Sequence, residues 1–350
     1  MAYKSITDDL NLESLRSLLV PETLMDDLPL KEDDARVILQ TRNDIADIIH
    51  GRDDRLLVIV GPCSIHDPLA AIEYAHRLKA AAKEHQSTLL LVMRVYFEKP
   101  RTIMGWKGLI NDPDINGSFD INRGLEIARK LLLELAELGM PAGCEILDMI
   151  SPQFFTDLLS WAAVGARTTE SQTHREMASG LSVPVGFKNG TDGNTKIAVD
   201  AINAASYPHH FLTITKKGNS AIAATKGNSN GHIILRGSDR GPNYDQESVA
   251  AAVGLLSASD LPPRLMIDCS HGNSGKDYTR QPLVAAEVAA QISRGSEEIF
   301  GVMLESNLFE GRQSEPDAYG VSITDGCISW ETTVAILEDL AGAVGARRIL

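Results

Sequence analysis

Residues Leu56–Pro68 read LLVIVGPCSIHDP. The aliphatic run Leu56–Val60 is too continuous for a strand with one wet face and fits a strand buried on both sides, as in a parallel sheet covered by helices. Gly61-Pro62 then turns the chain. Asp67-Pro68 starts a helix, since proline suits the first helical turn, where the amide it lacks would be unbonded anyway. A strand followed at once by a returning helix is a β/α unit, and it leaves a cysteine, Cys63, at the strand exit.

The same unit recurs along the chain. Strands are expected at Leu56–Val60, Leu89–Tyr96, Ala142–Leu147, Ala162–Ala166, Val185–Lys188, His232–Leu235, Leu265–Asp268 and Ile299–Leu304, with helical segments between them. The clearest helix runs from Phe119 to Leu138, with Leu125, Ala128, Leu131, Leu132, Leu135 and Leu138 on one stripe and Gly139 as its stop. Ser151-Pro152 and Gln281-Pro282 repeat the polar-proline helix start, and a last helix is expected from about Glu331 to Val344. Eight successive units predict an α/β fold of the (β/α)₈ TIM-barrel type rather than a doubly wound sheet, and no GxGxxG follows the first strand. Residues 1–50 read as an N-terminal extension with a helix over Glu32–Ile49, and residues 51–350 as the barrel domain. The stretch at about 211–225, FLTITKKGNSAIAAT from Phe211 to Thr225, reads as a β-hairpin inserted before barrel strand six.

Composition narrows the function classes. Of 350 residues 43% are hydrophobic and 23% charged, the balance of a globular protein, and a net charge of −14 disfavours nucleic acid or an anionic membrane as partner. The N-terminus has no basic start followed by an apolar block, and no apolar run approaches the ~20 residues of a membrane span, so a cytoplasmic location is expected. Cys63, Cys144, Cys269 and Cys327 are far apart without a CxxC pair, which indicates neither a disulfide framework nor a zinc ribbon.

In a barrel the carboxyl ends of the strands line the active site. Read in order, those ends carry Cys63, then Arg94 with Lys99 and Arg101, Glu145, Arg167, Lys188, Arg236, His271 and Glu305. Cys63, His271 and Glu305, joined by Asp325 in SITDGC, form a mixed soft and hard donor set suited to one divalent metal ion such as Mn, Fe, Co or Zn. Each alone is more commonly a core thiol or a hydrogen-bonded side chain; together at strand ends they read as ligands. Arg94, Lys99, Arg101, Arg167, Lys188 and Arg236 form a cationic group able to hold two phosphorylated ligands.

The motifs GPCSIHDP, RVYFEKPRT, GWKGLINDPD, GARTTESQ, PVGFKNGTDG, HIILRG, DCSHGNS and SITDGC together resemble the type I 3-deoxy-D-arabino-heptulosonate 7-phosphate (DAHP) synthases, the microbial, feedback-regulated branch, essentially end to end. The resemblance implies a metal-dependent condensation of phosphoenolpyruvate with erythrose 4-phosphate, the first step of the shikimate pathway. It places the metal on Cys63, His271, Glu305 and Asp325, and phosphoenolpyruvate on Arg94, Lys99, Arg167, Lys188 and Arg236. Erythrose 4-phosphate falls to Arg101 and Thr102 of KPRT together with Asp325. Among these, Lys99 is read as the proton donor and Glu145 as the group that positions water, beside Cys63 and His271 as ligands.

The resemblance also implies an aromatic amino-acid effector site on Met149, Pro152, Gln153, Leu181, Ser182, Phe211, Thr213 and Ala223, with Asp8 and Asp9 supplied by a neighbouring subunit of a dimer or tetramer. The hairpin position that is serine in phenylalanine-sensitive forms and glycine in tyrosine-sensitive ones is Thr213 here, which favours tyrosine or phenylalanine over tryptophan. Three other readings remain open at this point: a related synthase using arabinose 5-phosphate, against which KPRT argues; a Schiff-base aldolase with Lys188 as nucleophile; and a non-catalytic sugar-phosphate sensor.

Overall fold

The structure, a computed structural model, describes residues 8–101 and 105–350. Its strands are β1 (Leu56–Gly61), β2 (Leu89–Arg94), β3 (Ala142–Glu145), β4 (Trp161–Val164), β5 (Val185–Lys188), β6 (His210–Ile214), β7 (Ser220–Ala224), β8 (Gly231–Leu235), β9 (Leu265–Asp268) and β10 (Ile299–Glu305). The helices are α1 (Pro21–Asp27), α2 (Glu32–Ile49), α3 (Pro68–Glu84), α4 (Ile121–Leu138), α5 (Pro152–Phe155), α6 (Gln172–Ala178), α7 (Lys196–Ser206), α8 (Gln246–Ser257), α9 (Gln281–Ser293) and α10 (Trp330–Arg347). Eight strands close into a parallel barrel in the order β1-β10-β9-β8-β5-β4-β3-β2, as the repeated β/α pattern requires. β1 is wholly buried along its length, the burial its aliphatic run demands.

The strand ends depart from the sequence reading by a residue or two, for a physical reason. β2 stops at Arg94: Val95 N still donates to Gly143 O of β3 at 2.8 Å, but Tyr96 O accepts from Ile65 N at 2.9 Å, which ties the exit of β2 to that of β1. α4 begins at Ile121, not Phe119, because Phe119 is left-handed (φ 49°) and Asp120 caps the helix through Arg123 N. Gly139 ends it at φ 67°, a conformation glycine adopts without a Cβ clash.

The helix read as part of an extension closes one end of the barrel. Ile45, Ile48 and Ile49 of α2 are buried in one cluster with Leu57, Ile59, Val92, Trp161, Ile234, Met266 and Phe300. Arg264, just before β9, donates to Ile48 O, and Asn230, just before β8, bonds His50, so α2 covers the amino-terminal ends of the strands and leaves the carboxyl ends free. Inside the barrel the Trp161 indole donates to His232 Nε2 at 2.9 Å; burial pushes that imidazole down to about 4, so it stays a neutral acceptor.

β6 and β7 form a separate antiparallel hairpin directly before the sixth barrel strand, β8. Phe211, Thr213, Ala221 and Ala223 make its half-buried face, while the cross-strand pair Leu212 and Ile222 is 79% and 73% exposed. Lys216 in its turn donates to Gln153 O on α5, and Glu22 N of α1 donates back to Lys216 O. The four cysteines are free and buried, and no described helix is long and apolar enough to cross a membrane. Ile48→Ala should remove about 2–5 kcal/mol of stability in urea unfolding, the range for a buried aliphatic truncated to alanine. A change below about 1 kcal/mol would contradict the closing role of α2.

Candidate active site

A cavity of about 640 Å³ opens at the carboxyl ends of the barrel strands. It is lined by Arg94 from β2, Glu145 from β3, Lys188 from β5, Arg236 after β8, His271 after β9 and Glu305 from β10, and by Lys99, Arg101, Arg167 and Asp325 from the loops. Every cation singled out in the sequence therefore faces one space. Lys276, left-handed at φ 63° in the loop after β9, adds a further cation. Thr102 lies outside the described residues.

Arg94 forms the base of this arrangement. The side chain is 1% exposed, its Nε donates to Pro62 O at 3.1 Å, and its Nη2 donates to Cys63 O at 3.2 Å and to Glu305 Oε1 at 3.0 Å. The guanidinium lies 3.5 Å above the centroid of the Tyr96 ring, a cation–π contact in a dry interior. The Glu305 backbone is gripped separately: Gln281 Nε2 donates to Glu305 O and its Oε1 accepts from Glu305 N, both at 2.9 Å. Gln281 was visible in the sequence only as a helix start.

Donor atoms of Cys63, Glu305 and Asp325 lie within 4.8 Å of one another. Ligand atoms bound at about 2.0–2.3 Å to one ion necessarily sit that close, and a thiolate with carboxylates is a fitting set for a divalent transition metal. His271 presents Nε2 at 3.8 Å from Glu305 Oε1, while Ser270 Oγ (2.7 Å) and Asp268 Oδ2 (2.9 Å) hold its Nδ1. A carboxylate behind the ring fixes which nitrogen points toward the donor set. Asp268 escaped the sequence reading because an aspartate closing a strand looks like any capping residue.

Lys99 Nζ is 2.9 Å from Cys63 Sγ and 2.7 Å from Asp325 Oδ2. Burial alone would lower the pKa of this ammonium, but Cys63, Glu305 and Asp325 outweigh burial and hold it above the ordinary lysine value. Burial likewise would raise the Asp325 carboxyl, yet Lys99 pulls it below the usual carboxylate range. At Glu305, His271 and Arg94 overcome burial in the same direction. The Cys63 thiol goes the other way, raised by burial and by the Glu305 charge.

The remaining cations are held differently. Lys188 Nζ pairs with Asp268 Oδ2 at 3.0 Å, both side chains fully buried, and a lysine committed as a paired ammonium is poorly suited to Schiff-base attack. Asn189 accepts Arg236 N at 2.8 Å and donates to Gly237 O, locking the exits of β5 and β8 together. Arg167, on the loop after β4, donates to Pro100 O, and Arg101 donates to Trp106 O, so both are braced by the loop after β2. Glu145 occupies the space above Gly165, where a Cβ would lie 2.1 Å from its Oε1.

The residues expected at the effector site fall on neighbouring elements. Pro152 and Gln153 are on α5, and Phe211, Thr213 and Ala223 on the half-buried face of the hairpin. Met149 and Leu181 pack partly buried against the core, and Ser182 is exposed. Asp8 and Asp9 are exposed at the start of the described chain.

Comparison with known proteins agrees with the barrel fold. The chain is 57% identical over 345 residues to the Phe-sensitive phospho-2-dehydro-3-deoxyheptonate aldolase of Escherichia coli K12, covering 97% of this chain and 98% of the relative. It is 54% identical over 353 residues to the Tyr-sensitive aldolase of the same strain, covering 98% and 99%. The solved structure of the phospho-2-dehydro-3-deoxyheptonate aldolase from Francisella tularensis SCHU S4 superposes with a TM-score of 0.95 at 53% identity, covering 97% of this chain and 100% of that one. The model of the DAHP synthetase I family matches residues 29–338, and the chain belongs to that family.

Proposed function

We propose that this chain condenses phosphoenolpyruvate with erythrose 4-phosphate and water to give 3-deoxy-D-arabino-heptulosonate 7-phosphate and phosphate, the first step of aromatic amino-acid synthesis in the cytoplasm. The observation that carries the reading is a single cavity lined by Glu305, Asp325 and His271 together with arginines and lysines, with the buried Cys63 donor within 4.8 Å of those of Glu305 and Asp325. Two phosphorylated substrates repel each other, and fixed cations offset that repulsion and orient both for attack.

A divalent metal held by Cys63, His271, Glu305 and Asp325 would act as a Lewis acid on the aldose aldehyde. Arg94, Lys99, Arg167, Lys188 and Arg236 hold the phosphate and carboxylate of phosphoenolpyruvate, and Arg101 and Thr102 hold the phosphate of erythrose 4-phosphate, with Asp325 beside its aldehyde. C3 of the enol phosphate bonds to the aldehyde carbon, water adds at C2, and phosphate leaves by C–O cleavage. Glu145 positions that water, and Lys99, kept charged by its anionic neighbours, delivers a proton to the developing alkoxide.

The effector pocket is assigned to Met149, Pro152, Gln153, Leu181, Ser182, Phe211, Thr213 and Ala223, with Asp8 and Asp9 of a neighbouring copy. A dimer or tetramer would also cover Leu212 and Ile222, the apolar outer pair of the hairpin.

Purified protein should consume phosphoenolpyruvate only when erythrose 4-phosphate is present, and a chelator should stop it until a divalent ion is returned. Turnover undiminished by exhaustive chelation would refute the metal assignment, and preference for arabinose 5-phosphate would refute the substrate. In the same assay phenylalanine or tyrosine should inhibit at concentrations where tryptophan does not. Insensitivity to all three would refute the effector pocket.

A further inference from the structure

Glu98 directly precedes Lys99, is 9% exposed, and has no part in the chemistry above. Its backbone pairs with Gly108, and Lys99 N donates to Lys107 O at 2.8 Å, so Glu98 sits where the exit of β2 doubles back on itself. Its side chain spans to the loop between β3 and α5, where Ser151 Oγ donates to Glu98 Oε2 at 3.4 Å. Asp148 organises that loop by accepting from Ile150 N at 2.5 Å and Ser151 N at 2.8 Å. The titratable groups that face Glu98 are Asp148 and Glu145, together with the buried Cys144 thiol, and among the described residues no cation faces it. Lys99 directs its ammonium away, to Cys63 and Asp325.

We infer that Glu98 is a positioning residue that, as a neutral carboxylic acid, holds the Lys99–Arg101 wall of the cavity against the β3–α5 loop. Ionised, it would add a carboxylate beside the half-buried Asp148 and the buried Glu145, and the segment carrying Lys99 and Arg101 would move to separate them. Burial first, then Asp148 and Glu145, push the carboxyl up to about 8, so the neutral form prevails at pH 7. The inference rests on the condensation proposed above for its catalytic readout.

The test compares wild type with Glu98→Gln, an isostere of the acid form, in pH profiles of turnover and of thermal unfolding. Wild-type kcat/KM should fall above pH ~8, by up to tenfold per pH unit for one proton lost. Glu98→Gln should keep its pH 7 turnover within about threefold and lose that alkaline limb. Asp148→Asn removes one charge that raises the Glu98 pKa and should move the limb to lower pH. Stability gives a readout independent of turnover. An acid whose folded pKa is raised binds more protons folded than unfolded, so wild-type Tm should drop relative to Glu98→Gln as pH rises from 5 through 8. An alkaline limb unchanged in Glu98→Gln, or a Tm difference that does not widen with pH, overturns the inference. Absence of turnover in wild type at every pH would instead count against the condensation and leave the Tm comparison to decide on Glu98.

Discussion

The contact on which most of the site depends is the buried pair between Arg94 and Glu305. β10, β1 and β2 are neighbours in the barrel, and the Arg94 guanidinium at the end of β2 reaches Glu305 at the end of β10 and the carbonyls of Pro62 and Cys63 at the exit of β1. One planar group thus sets the mutual positions of two donor residues contributed by different strands. Desolvating two charges is expensive, and such a pair holds only when its hydrogen bonds are complete; removing one partner typically costs about 3–5 kcal/mol. The Tyr96 face beneath Arg94 and the Gln281 grip on the Glu305 backbone supply that completion.

The rest of the site repeats the principle one layer outward. Lys99 bridges Cys63 and Asp325, Lys188 is neutralised by Asp268, and Asp268 also orients His271. Positive and negative groups alternate across the cavity, so its surplus cations, Arg167 and Arg236 foremost, are left to face an anionic ligand. A chain with a net charge of −14 concentrates positive potential at one barrel mouth in this way.

Much of this was legible in the residues because two periodicities are hard to mistake. The two-sided apolar runs marked all eight strands, and the stripe from Leu125 to Leu138 marked α4. Strand ends then pointed to Cys63, Arg94, Glu145, Lys188 and Glu305, since a stability role would put aliphatics there. What escaped was chemistry that depends on distant partners: Asp268 behind His271, Gln281 across Glu305, Glu98 against Ser151 some 53 positions away. α2 looked like an appendage because its periodicity shows an apolar face without showing what that face covers, which is the floor of the barrel. The effector residues carry no local signature either; Phe211 and Leu181 read as ordinary packing, and only resemblance singles them out.

The proposed site, with Cys63, His271, Glu305 and Asp325 holding one metal ion, is probed most directly with cobalt. Cobalt(II) added to the metal-stripped protein should give one equivalent of binding with a thiolate-to-metal charge-transfer absorption in the near ultraviolet. That absorption should vanish in a folded Cys63→Ala variant while the other three cysteines remain. A cobalt complex whose spectrum is indifferent to Cys63→Ala, or shows no thiolate band at all, would contradict the account.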